Sequence, residues 1–394
     1  MKLGILRMFK KLVSILSWLR NPFDAVKRNS FRRRWNIQER LKSIEKINAS
    51  LEKRLTDVEY SNSNIWNTWW LLQSELKGIC KQEAGDFTGV RDGLSEEEHQ
   101  HNVDLLCRNL SPEALVRLQN ILNKKDKLYY NGRVLLRDFF SDDELHTLDA
   151  VRKFHKEPKF ISTSEKLGGG GGYWQWRHYK LPGRLEAVKS ISSISPIRFF
   201  ATVFLDKHGI DTLKTTDKIG DKAIIDAGCW VGDSVLIFRE KFPDNKIYSF
   251  EPNPESYQFA LEAMTLNNID NVIIENIGLG EVRKTVTMSG MLIRQDGNEN
   301  VIIDTLDNYV SRHNLQVGLI KTDLEGYESK FLEGAITTIR KQKPILVISI
   351  YHNYDDFFKI KPMIESWNLG YQFDFFKGMD EGMGEIMLLA EVYG

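Results

Sequence analysis

The segment that most constrains this chain is an apolar run that ends in a glycine turn. Residues 223–227 read Ala-Ile-Ile-Asp-Ala, and Gly228 and Gly232 follow at the spacing Asp-x-Gly-x-x-x-Gly. A helix-like segment, residues 233–241, begins directly afterwards. A β-branched run, a glycine turn and an amphipathic segment in this order predict a strand followed by a helix N-terminus. The sequence therefore predicts a βα unit whose ligand site lies at the carboxyl edge of a parallel sheet.

An acidic residue at the tip of the next strand completes a nucleoside-binding pattern. Glu251 follows the apolar run 246–250, at the position where a carboxylate binds a ribose diol. A dinucleotide fold would place a glycine at the centre of the turn, but Trp230 stands there. S-adenosylmethionine (SAM) has no phosphate, and its carboxylate suits the helix N-terminus. We therefore predict SAM as the cofactor, with a NAD-dependent sugar-modifying enzyme as the alternative.

Residues 223–352 resemble the FkbM family of SAM-dependent methyltransferases. The matching pieces occur in the family's order and are Ile225-Asp226-Ala227-Gly228, Gly232-Asp233-Ser234, Phe250-Glu251-Pro252-Asn253, Asp304-Thr305-Leu306-Asp307, Ile320-Lys321-Thr322-Asp323-Leu324-Glu325-Gly326-Tyr327-Glu328, Lys343-Pro344-Ile345-Leu346-Val347 and Tyr351-His352. The resemblance implies a class I methyltransferase fold. It also implies O-methylation of a hydroxyl on a sugar or another secondary metabolite.

The chain after residue 190 is predicted to form this α/β domain, a doubly wound and mostly parallel sheet over residues 191–394. The expected strands are 223–227, 246–250, 272–276, 317–322, 345–351, 371–376 and 385–392, and the expected helices are 233–241, 254–267, 305–313, 327–341 and 355–367. Residues 283–303 are predicted to form an inserted hairpin-like segment. The link between the last two strands is so short that they must be antiparallel, as in class I methyltransferases.

Ligands in such sheets bind beyond the carboxyl ends of the strands, and this places two groups of candidate residues. The predicted cofactor-binding residues are Asp226, Gly228, Trp230, Gly232, Asp233, Glu251 and Asn276. Asn276 closes the third strand, where it could meet the adenine. The candidate catalytic residues are Asp323, His352, Lys321 and Glu325.

Transfer of a methyl group to a hydroxyl requires an aligned nucleophile and an acceptor for its proton. Asp323 follows an apolar run, and His352 ends the neighbouring strand with a side chain that titrates near neutral pH. Lys321 could pair with Asp323 or Glu325, or lower the pKa of the acceptor. Alternatively, these groups form an ion-pair cluster, a role that suits Glu325 and Glu328 at the start of a helix. A divalent cation is a further alternative, but no spacing requires one, and no metal is predicted.

The first 35 residues read as a basic amphipathic segment. Its apolar residues recur at helical spacing, with Arg7, Lys10 and Lys11 on the opposite face and Arg32 to Arg34 beyond. This pattern predicts peripheral binding to an anionic membrane surface, whereas the basic residues exclude a membrane-spanning helix. Packing on the protein itself or on a partner is the alternative. Three widely spaced cysteines indicate a reducing compartment, so we expect the cytoplasmic face of the cell membrane.

Residues 36–80 carry a heptad pattern, with Asn48 and Asn62 at the position that Leu41 and Leu55 also occupy. The pattern predicts a coiled coil and a homo-oligomer, with a helix folded back on the catalytic domain as the alternative. Residues 81–190 are predicted to be a helical spacer or accessory region. It includes the five-glycine run 168–172 and an aromatic stretch that could cover the acceptor or simply pack on the sheet.

These features give one leading hypothesis and one alternative. The leading hypothesis is a SAM-dependent O-methyltransferase that acts on a sugar hydroxyl of a glycan or glycolipid at the cytoplasmic membrane surface. The alternative is a coiled-coil assembly protein of a glycan-synthesis complex, with a regulatory or vestigial methyltransferase-like domain. The intact set of site residues disfavours the alternative. The 54 basic and 54 acidic residues balance, so no nucleic-acid partner is expected.

Overall fold

The computed structural model describes residues 94–123, 127–130, 133–136, 175–180, 187–192, 200–289, 292–293, 297, 299–378 and 384–393. The predicted membrane-surface segment 1–35, the predicted coiled coil 36–80 and the glycine run 168–172 lie outside these residues. Among the helices of the described ranges, none combines the length and the apolar character that a bilayer crossing requires.

Two helices begin the described part, and both start at signals readable in the sequence. Helix α1, Glu96–Cys107, begins after Ser95, whose hydroxyl accepts a hydrogen bond from the Glu98 N–H while Glu98 accepts one from the Ser95 N–H. This reciprocal pair is a capping box. Helix α2, Pro112–Asn123, has proline at its first position, where no N–H is needed.

The two helices are part of the core of the sheet domain rather than a spacer. Leu106 of α1 and Leu118 and Ile121 of α2 are fully buried in the same apolar cluster as one face of the sheet. Arg117 donates hydrogen bonds to both carboxylate oxygens of Asp374, which lies on a strand near the C-terminus. Of the two predicted roles, a spacer or an accessory region, residues 96–123 therefore fit the accessory region.

The prediction of a helical region is wrong for residues 127–130 and 133–136, which form a hairpin. Strands β1, Lys127–Tyr130, and β2, Arg133–Leu136, pair antiparallel, with Tyr130 opposite Arg133. Between them the sequence has Asn-Gly, the dipeptide that two-residue hairpin turns favour because both residues adopt positive φ. A second hairpin pairs β3, Gln175–Lys180, with β4, Ala187–Ser192, so the aromatic stretch after the glycine run ends in a strand.

The main sheet has seven strands in the order β7-β6-β5-β12-β13-β15-β14, and β15 alone runs antiparallel. The strands are β5, Ala223–Ala227; β6, Ile247–Phe250; β7, Val272–Glu275; β12, Val317–Thr322; β13, Ile345–Ser349; β14, Tyr371–Lys377; and β15, Ile386–Val392. The predicted closing antiparallel pair is confirmed by the register from Tyr371 opposite Val392 to Lys377 opposite Ile386.

Helices cover both faces of this sheet, as a doubly wound fold requires. Those around the sheet are α3, Asp233–Lys241; α4, Pro254–Leu266; α5, Leu306–His313; α6, Glu328–Gln342; and α7, Tyr354–Ser366. One buried cluster joins α5, α6 and α7 to the sheet. The other cluster joins α3, α4 and the segment 203–219 to the opposite face. The inserted segment forms a small sheet in the order β10-β9-β11-β8, with β8 at Gly278–Leu279, β9 at Lys284–Ser289, β10 at Leu292–Ile293 and β11 at Glu299–Asp304.

This topology brings several loops to one edge of the sheet. The carboxyl ends of the parallel strands β5, β6, β12, β13 and β14 all lie there, since parallel strands share their direction. The loops that follow these ends contain the residues that the sequence selects as candidates.

Candidate active site

The glycine turn after β5 lies in direct contact with the tip of β12. Gly228 has a φ of +82°, and a Cβ atom built on it would lie 1.9 Å from the carbonyl oxygen of Asp323. The Asp323 N–H donates to the Ala227 carbonyl at 2.9 Å, which fixes this approach. Glycine is required here for two reasons, because its φ is positive and because no side chain fits.

The turn leads into a helix start that no side chain caps. Trp230 adopts a φ of +45°, and Gly232, with φ +82°, is the N-cap residue of α3. A glycine cap offers no oxygen to the first N–H groups of the helix, so a ligand carboxylate can bind them. The Asp233 carboxylate accepts a hydrogen bond from the Ser234 N–H at 2.9 Å, and burial raises the pKa of Asp233 to about 6.

Glu251 at the tip of β6 faces the same turn. Its carboxylate accepts hydrogen bonds from the N–H groups of Trp230 and Asn253, both at 2.9 Å. Burial raises the pKa of Glu251 to about 7, although the two N–H donors oppose this shift. The Asn276 side chain donates to the carbonyls of Glu251 and Pro252 at 2.9 and 3.1 Å, so its amide nitrogen braces this loop. Its predicted contact with the adenine stays a prediction.

Asp226 and Lys321 form a buried pair beneath the turn, and this corrects two expectations. Asp226 is fully buried and accepts hydrogen bonds from Ser234 and Ser249, so its carboxylate faces the protein interior rather than a ligand. Nζ of Lys321 lies 3.4 Å from Asp226 Oδ1 and donates to the Gly228 carbonyl at 2.8 Å. Lys321 was expected to pair with Asp323 or Glu325. It sits instead on the strand face that meets Asp226, its register neighbour on β5.

The carboxylates around Lys321 stabilise the charged form of its side chain. Burial alone would lower the pKa of this ammonium, but the carboxylates of Asp226, Asp323 and Asp233 outweigh that effect and raise it. Lys321 is therefore a permanent cation within the domain rather than a group that exchanges protons with a substrate.

Asp323 presents its carboxylate at the sheet edge with one oxygen engaged. The Tyr351 hydroxyl donates to Oδ1 at 3.0 Å, and Nε2 of His352 lies 3.3 Å from the same atom. The side chain is 23% exposed, which agrees with the expected partly desolvated position. Burial acts to raise the pKa of Asp323, but His352 and Lys321 hold it well below its usual range.

His352 lies between two carboxylates, and its expected titration near neutral pH is wrong. Its Nε2 faces Asp323, and its Nδ1 lies 3.1 Å from Oε1 of Glu328. Burial would lower the pKa of the ring, but the adjacent carboxylates of Asp323 and Glu328 outweigh this effect and raise it to about 11. His352 is thus an imidazolium at neutral pH and cannot accept a proton there.

Glu328 anchors the loop that carries the other candidates. It is fully buried and accepts hydrogen bonds from the N–H groups of Leu324 and Gly326 and from the Ser349 hydroxyl. Glu325, between these donors, has a φ of +53° and a side chain that is 41% exposed. Its carboxylate lies 3.8 Å from His352 Nε2, and burial followed by the charge of Asp323 raises its pKa.

Three of these residues could also be considered as ligands of a metal ion. Asp323, Glu328 and His352 offer three ligand atoms within 4.8 Å of one another. However, the two carboxylates contact opposite nitrogens of the ring, and Glu328 already accepts three other hydrogen bonds. This arrangement suits an imidazolium held between carboxylates better than one ion bound by all three residues. The prediction that no metal takes part stays a prediction.

Sequence reasoning missed the role of two residues at this edge. The Tyr351 hydroxyl bonds Asp323, yet nothing in the run Ile350-Tyr351-His352 shows which way a tyrosine after a strand points. His208 lies on the segment before β5 and interacts electrostatically with Lys321 and Asp323. No sequence motif surrounds His208, and only the folding of that segment onto the sheet brings it here.

Comparison with known proteins agrees with this geometry. The family model described as "Methyltransferase FkbM domain" matches residues 226–375. A protein from Beauveria bassiana named "Methyltransferase 1" is 23% identical over 178 residues, which are 37% of this chain and 71% of that protein.

Solved structures are similar at lower sequence identity. Methyltransferase FkbM from Methylobacillus flagellatus has 15% identity and a TM-score of 0.44 over 74% of this chain, and the chain spans 59% of that structure. The SAH-bound methyltransferase PaMTH1 from Podospora anserina has 14% identity and a TM-score of 0.30, over 51% of this chain and 80% of that one.

The strand order and the glycine turn define a class I methyltransferase fold. Such domains use SAM as the methyl donor, and the acidic tip of β6 and the uncapped start of α3 fit its ribose and carboxylate. Residues 226–375 are thus similar in sequence to the methyltransferase FkbM domain, in agreement with this fold.

Replacing Gly228 with alanine should abolish SAM binding, because the new Cβ would displace the Asp323 carbonyl and with it the turn. Gly370→Ala is the matched control, since Gly370 has nearly the same φ, +84°, and nothing within 4 Å of an added Cβ. Isothermal titration with SAM measures both variants. Equal affinity of the two variants would contradict the steric argument.

His352→Gln should alter how stability depends on pH. The pKa of His352 in the folded protein is about 11, above its ordinary value of 6.5. Its contribution to the free energy of unfolding is therefore complete below about pH 6.5 and is lost as pH rises towards 11. Urea denaturation of wild type and variant at about pH 6, 8 and 10 should show the stability difference shrinking. A difference that grows over this range would refute the imidazolium.

Proposed function

We propose that this protein is a SAM-dependent O-methyltransferase that acts on a sugar hydroxyl in a glycan or glycolipid. The observation that carries the proposal is the difference in contacts between the two carboxylate oxygens of Asp323. Tyr351 and His352 hold its Oδ1, while Oδ2 has no donor among the described residues. A carboxylate oxygen with this freedom, beside the glycine turn, can accept a hydrogen bond from an acceptor hydroxyl.

In this mechanism Asp323 orients the hydroxyl and receives its proton. SAM, when bound, would supply a methyl group attached to a sulfonium sulfur, and loss of that methyl group would leave a neutral thioether. As the new carbon–oxygen bond forms, the hydroxyl oxygen becomes strongly acidic. A carboxylate of low pKa can therefore take the proton late in the step. Orientation contributes most of the rate, since the methyl group is already activated.

The neighbouring residues keep Asp323 in this role. The Tyr351 hydroxyl and the His352 imidazolium fix the rotation of the carboxylate through Oδ1. Glu328 compensates the charge of His352 from the other side of the ring. Lys321 acts through the Gly228 carbonyl and Asp226, so it positions the turn rather than touching the acceptor.

A sugar acceptor is supported by the resemblance to the FkbM family and by the polar character of this edge. Glu325 is partly exposed beside Asp323, and a second carboxylate suits a substrate with several hydroxyls. The aromatic stretch 173–179 is a candidate surface on which a sugar could stack. The alternative assembly role has less support, because the whole set of catalytic candidates meets at one edge.

Asp323→Asn should lower the rate of methyl transfer by roughly 10²–10⁴-fold while leaving SAM affinity nearly unchanged. The assay follows labelled methyl from SAM into a panel of nucleotide-linked and lipid-linked sugars. Asp217→Asn, at an exposed carboxylate, is the matched control and should retain full activity. Transfer to a sugar hydroxyl that Asp323→Asn preserves would exclude Asp323 as the base. SAM binding without transfer to any sugar would exclude a sugar acceptor.

We further propose that residues 1–35 bind an anionic membrane surface from the cytoplasmic side and that residues 36–80 form a homo-oligomeric coiled coil. The support is the basic amphipathic pattern and the heptad repeat in the sequence. Such an arrangement would hold catalytic domains close to a glycolipid acceptor.

Deleting residues 1–34 should release the protein from vesicles that contain anionic lipid, because each lost basic residue contributes about 1 kcal/mol to such binding. Sedimentation with anionic and with neutral vesicles measures the effect, and the full chain is the control. Binding of the shortened chain that equals that of the full chain would place the membrane contact elsewhere.

A further inference from the structure

The segment before β5 contains a backbone conformation that calls for an explanation. Lys207, His208 and Gly209 have φ angles of +46°, +51° and +76° in succession. A non-glycine residue in this region costs of order 1 kcal/mol or more, so Lys207 and His208 keep these angles in succession only where their surroundings enforce them. Such strain concentrates at binding and catalytic sites.

The packing of this turn explains the glycine but not the histidine. The Gly209 N–H donates to the Asp206 carbonyl at 2.8 Å, and a Cβ on Gly209 would lie 2.6 Å from Phe376 Cγ. Phe376 lies at the carboxyl end of β14, so the turn is held against the edge of the sheet that carries the candidate active site. The strained turn thus serves to place His208 at that edge.

The imidazole of His208 is buried without a protein partner for one nitrogen. His208 is 8% exposed, and within the described ranges its Nε2 has no hydrogen-bond partner. A buried polar atom without a partner costs about 1–3 kcal/mol, and buried imidazoles that only fill space normally avoid this by bonding both nitrogens.

The charged groups of the candidate active site act electrostatically on His208. Lys321 and Asp323 are the two charges that act on its ring. Burial, followed by the charge of Lys321, lowers the pKa of His208 to about 3. Its ring is therefore neutral at physiological pH, unlike that of His352, and can offer a nitrogen lone pair as a hydrogen-bond acceptor.

We propose that His208 contacts the methyl acceptor, and that its Nε2 accepts a hydrogen bond from a group beside the hydroxyl that Asp323 orients. This inference rests on the proposed function and extends it. Two hydrogen-bond acceptors at one edge, a carboxylate and a neutral imidazole, fit a substrate with two neighbouring donors, such as a vicinal diol of a sugar. His208 would then select which hydroxyl reaches Asp323.

The test compares sinefungin with S-adenosylhomocysteine, using the full chain. Sinefungin carries an amine where SAM has its transferable methyl, so that amine projects towards the groups that bind the acceptor. His208→Phe keeps the ring but removes both nitrogens, and His208→Gln restores a polar atom near the position of Nε2. Lys207→Gln is the matched control, because Lys207 shares the positive φ while its ammonium pairs with Asp211.

We expect His208→Phe to lose about tenfold in sinefungin affinity, equivalent to 1.4 kcal/mol, with S-adenosylhomocysteine affinity within about twofold of wild type. His208→Gln should recover part of the loss, and Lys207→Gln should match wild type. Equal loss for both ligands would show that His208 only supports the fold, and no loss for either would remove it from the site. Both results would overturn the proposal, as would a wild type that binds neither ligand.

This readout needs no acceptor, so it separates the two proposals. A chain that methylates no sugar but shows the expected sinefungin loss would refute the sugar acceptor while keeping His208 at the methyl-transfer position. With an acceptor identified by the sugar panel, His208→Phe should raise the KM for that acceptor about tenfold or more and leave the KM for SAM unchanged. An unchanged KM for the acceptor would overturn the proposed contact.

Discussion

The ion pair between Lys321 and Asp226 is the interaction on which the site depends. Both side chains are buried, their charged atoms are 3.4 Å apart, and Lys321 also donates to the Gly228 carbonyl. Removing one partner of such a pair leaves an uncompensated buried charge and typically costs 3–5 kcal/mol. Because the pair joins neighbouring positions on β5 and β12, it fixes the tips of both strands. The glycine turn and the Asp323 backbone then meet at a distance that only glycine permits.

Two histidines at this edge have opposite protonation states because their surroundings differ. His352 lies between Asp323 and Glu328 and is held as a cation, whereas His208 is buried beside Lys321 and is held neutral. The same side chain therefore serves as a cation between two carboxylates in one place and as an available hydrogen-bond acceptor in the other. Neither histidine titrates near its ordinary pKa.

The sheet was predictable from sequence because its strands are short apolar runs bounded by glycine, proline and acidic residues. The predicted bounds of β5, β12 and α3 agree with the structure to the residue. The hairpin that β1 and β2 form was not predicted, although the Asn-Gly dipeptide between the two strands is a sequence signal for a hairpin turn.

Sequence alone determined the class of fold, the glycine turn and the residues that end the strands, since these follow from local patterns of apolar residues and turn formers. Tertiary structure alone decided which of those residues touch. Lys321 faces Asp226 because side chains at paired positions on neighbouring parallel strands share a face. His352 is a cation because the carboxylates of Asp323 and of Glu328, the first residue of α6, lie beside its two ring nitrogens. His208 reached the site because a distant segment folds onto the sheet edge, and no local pattern encodes that contact. Electrostatic and hydrogen-bonding partners depend on distances across the fold, which the order of residues along a chain does not specify.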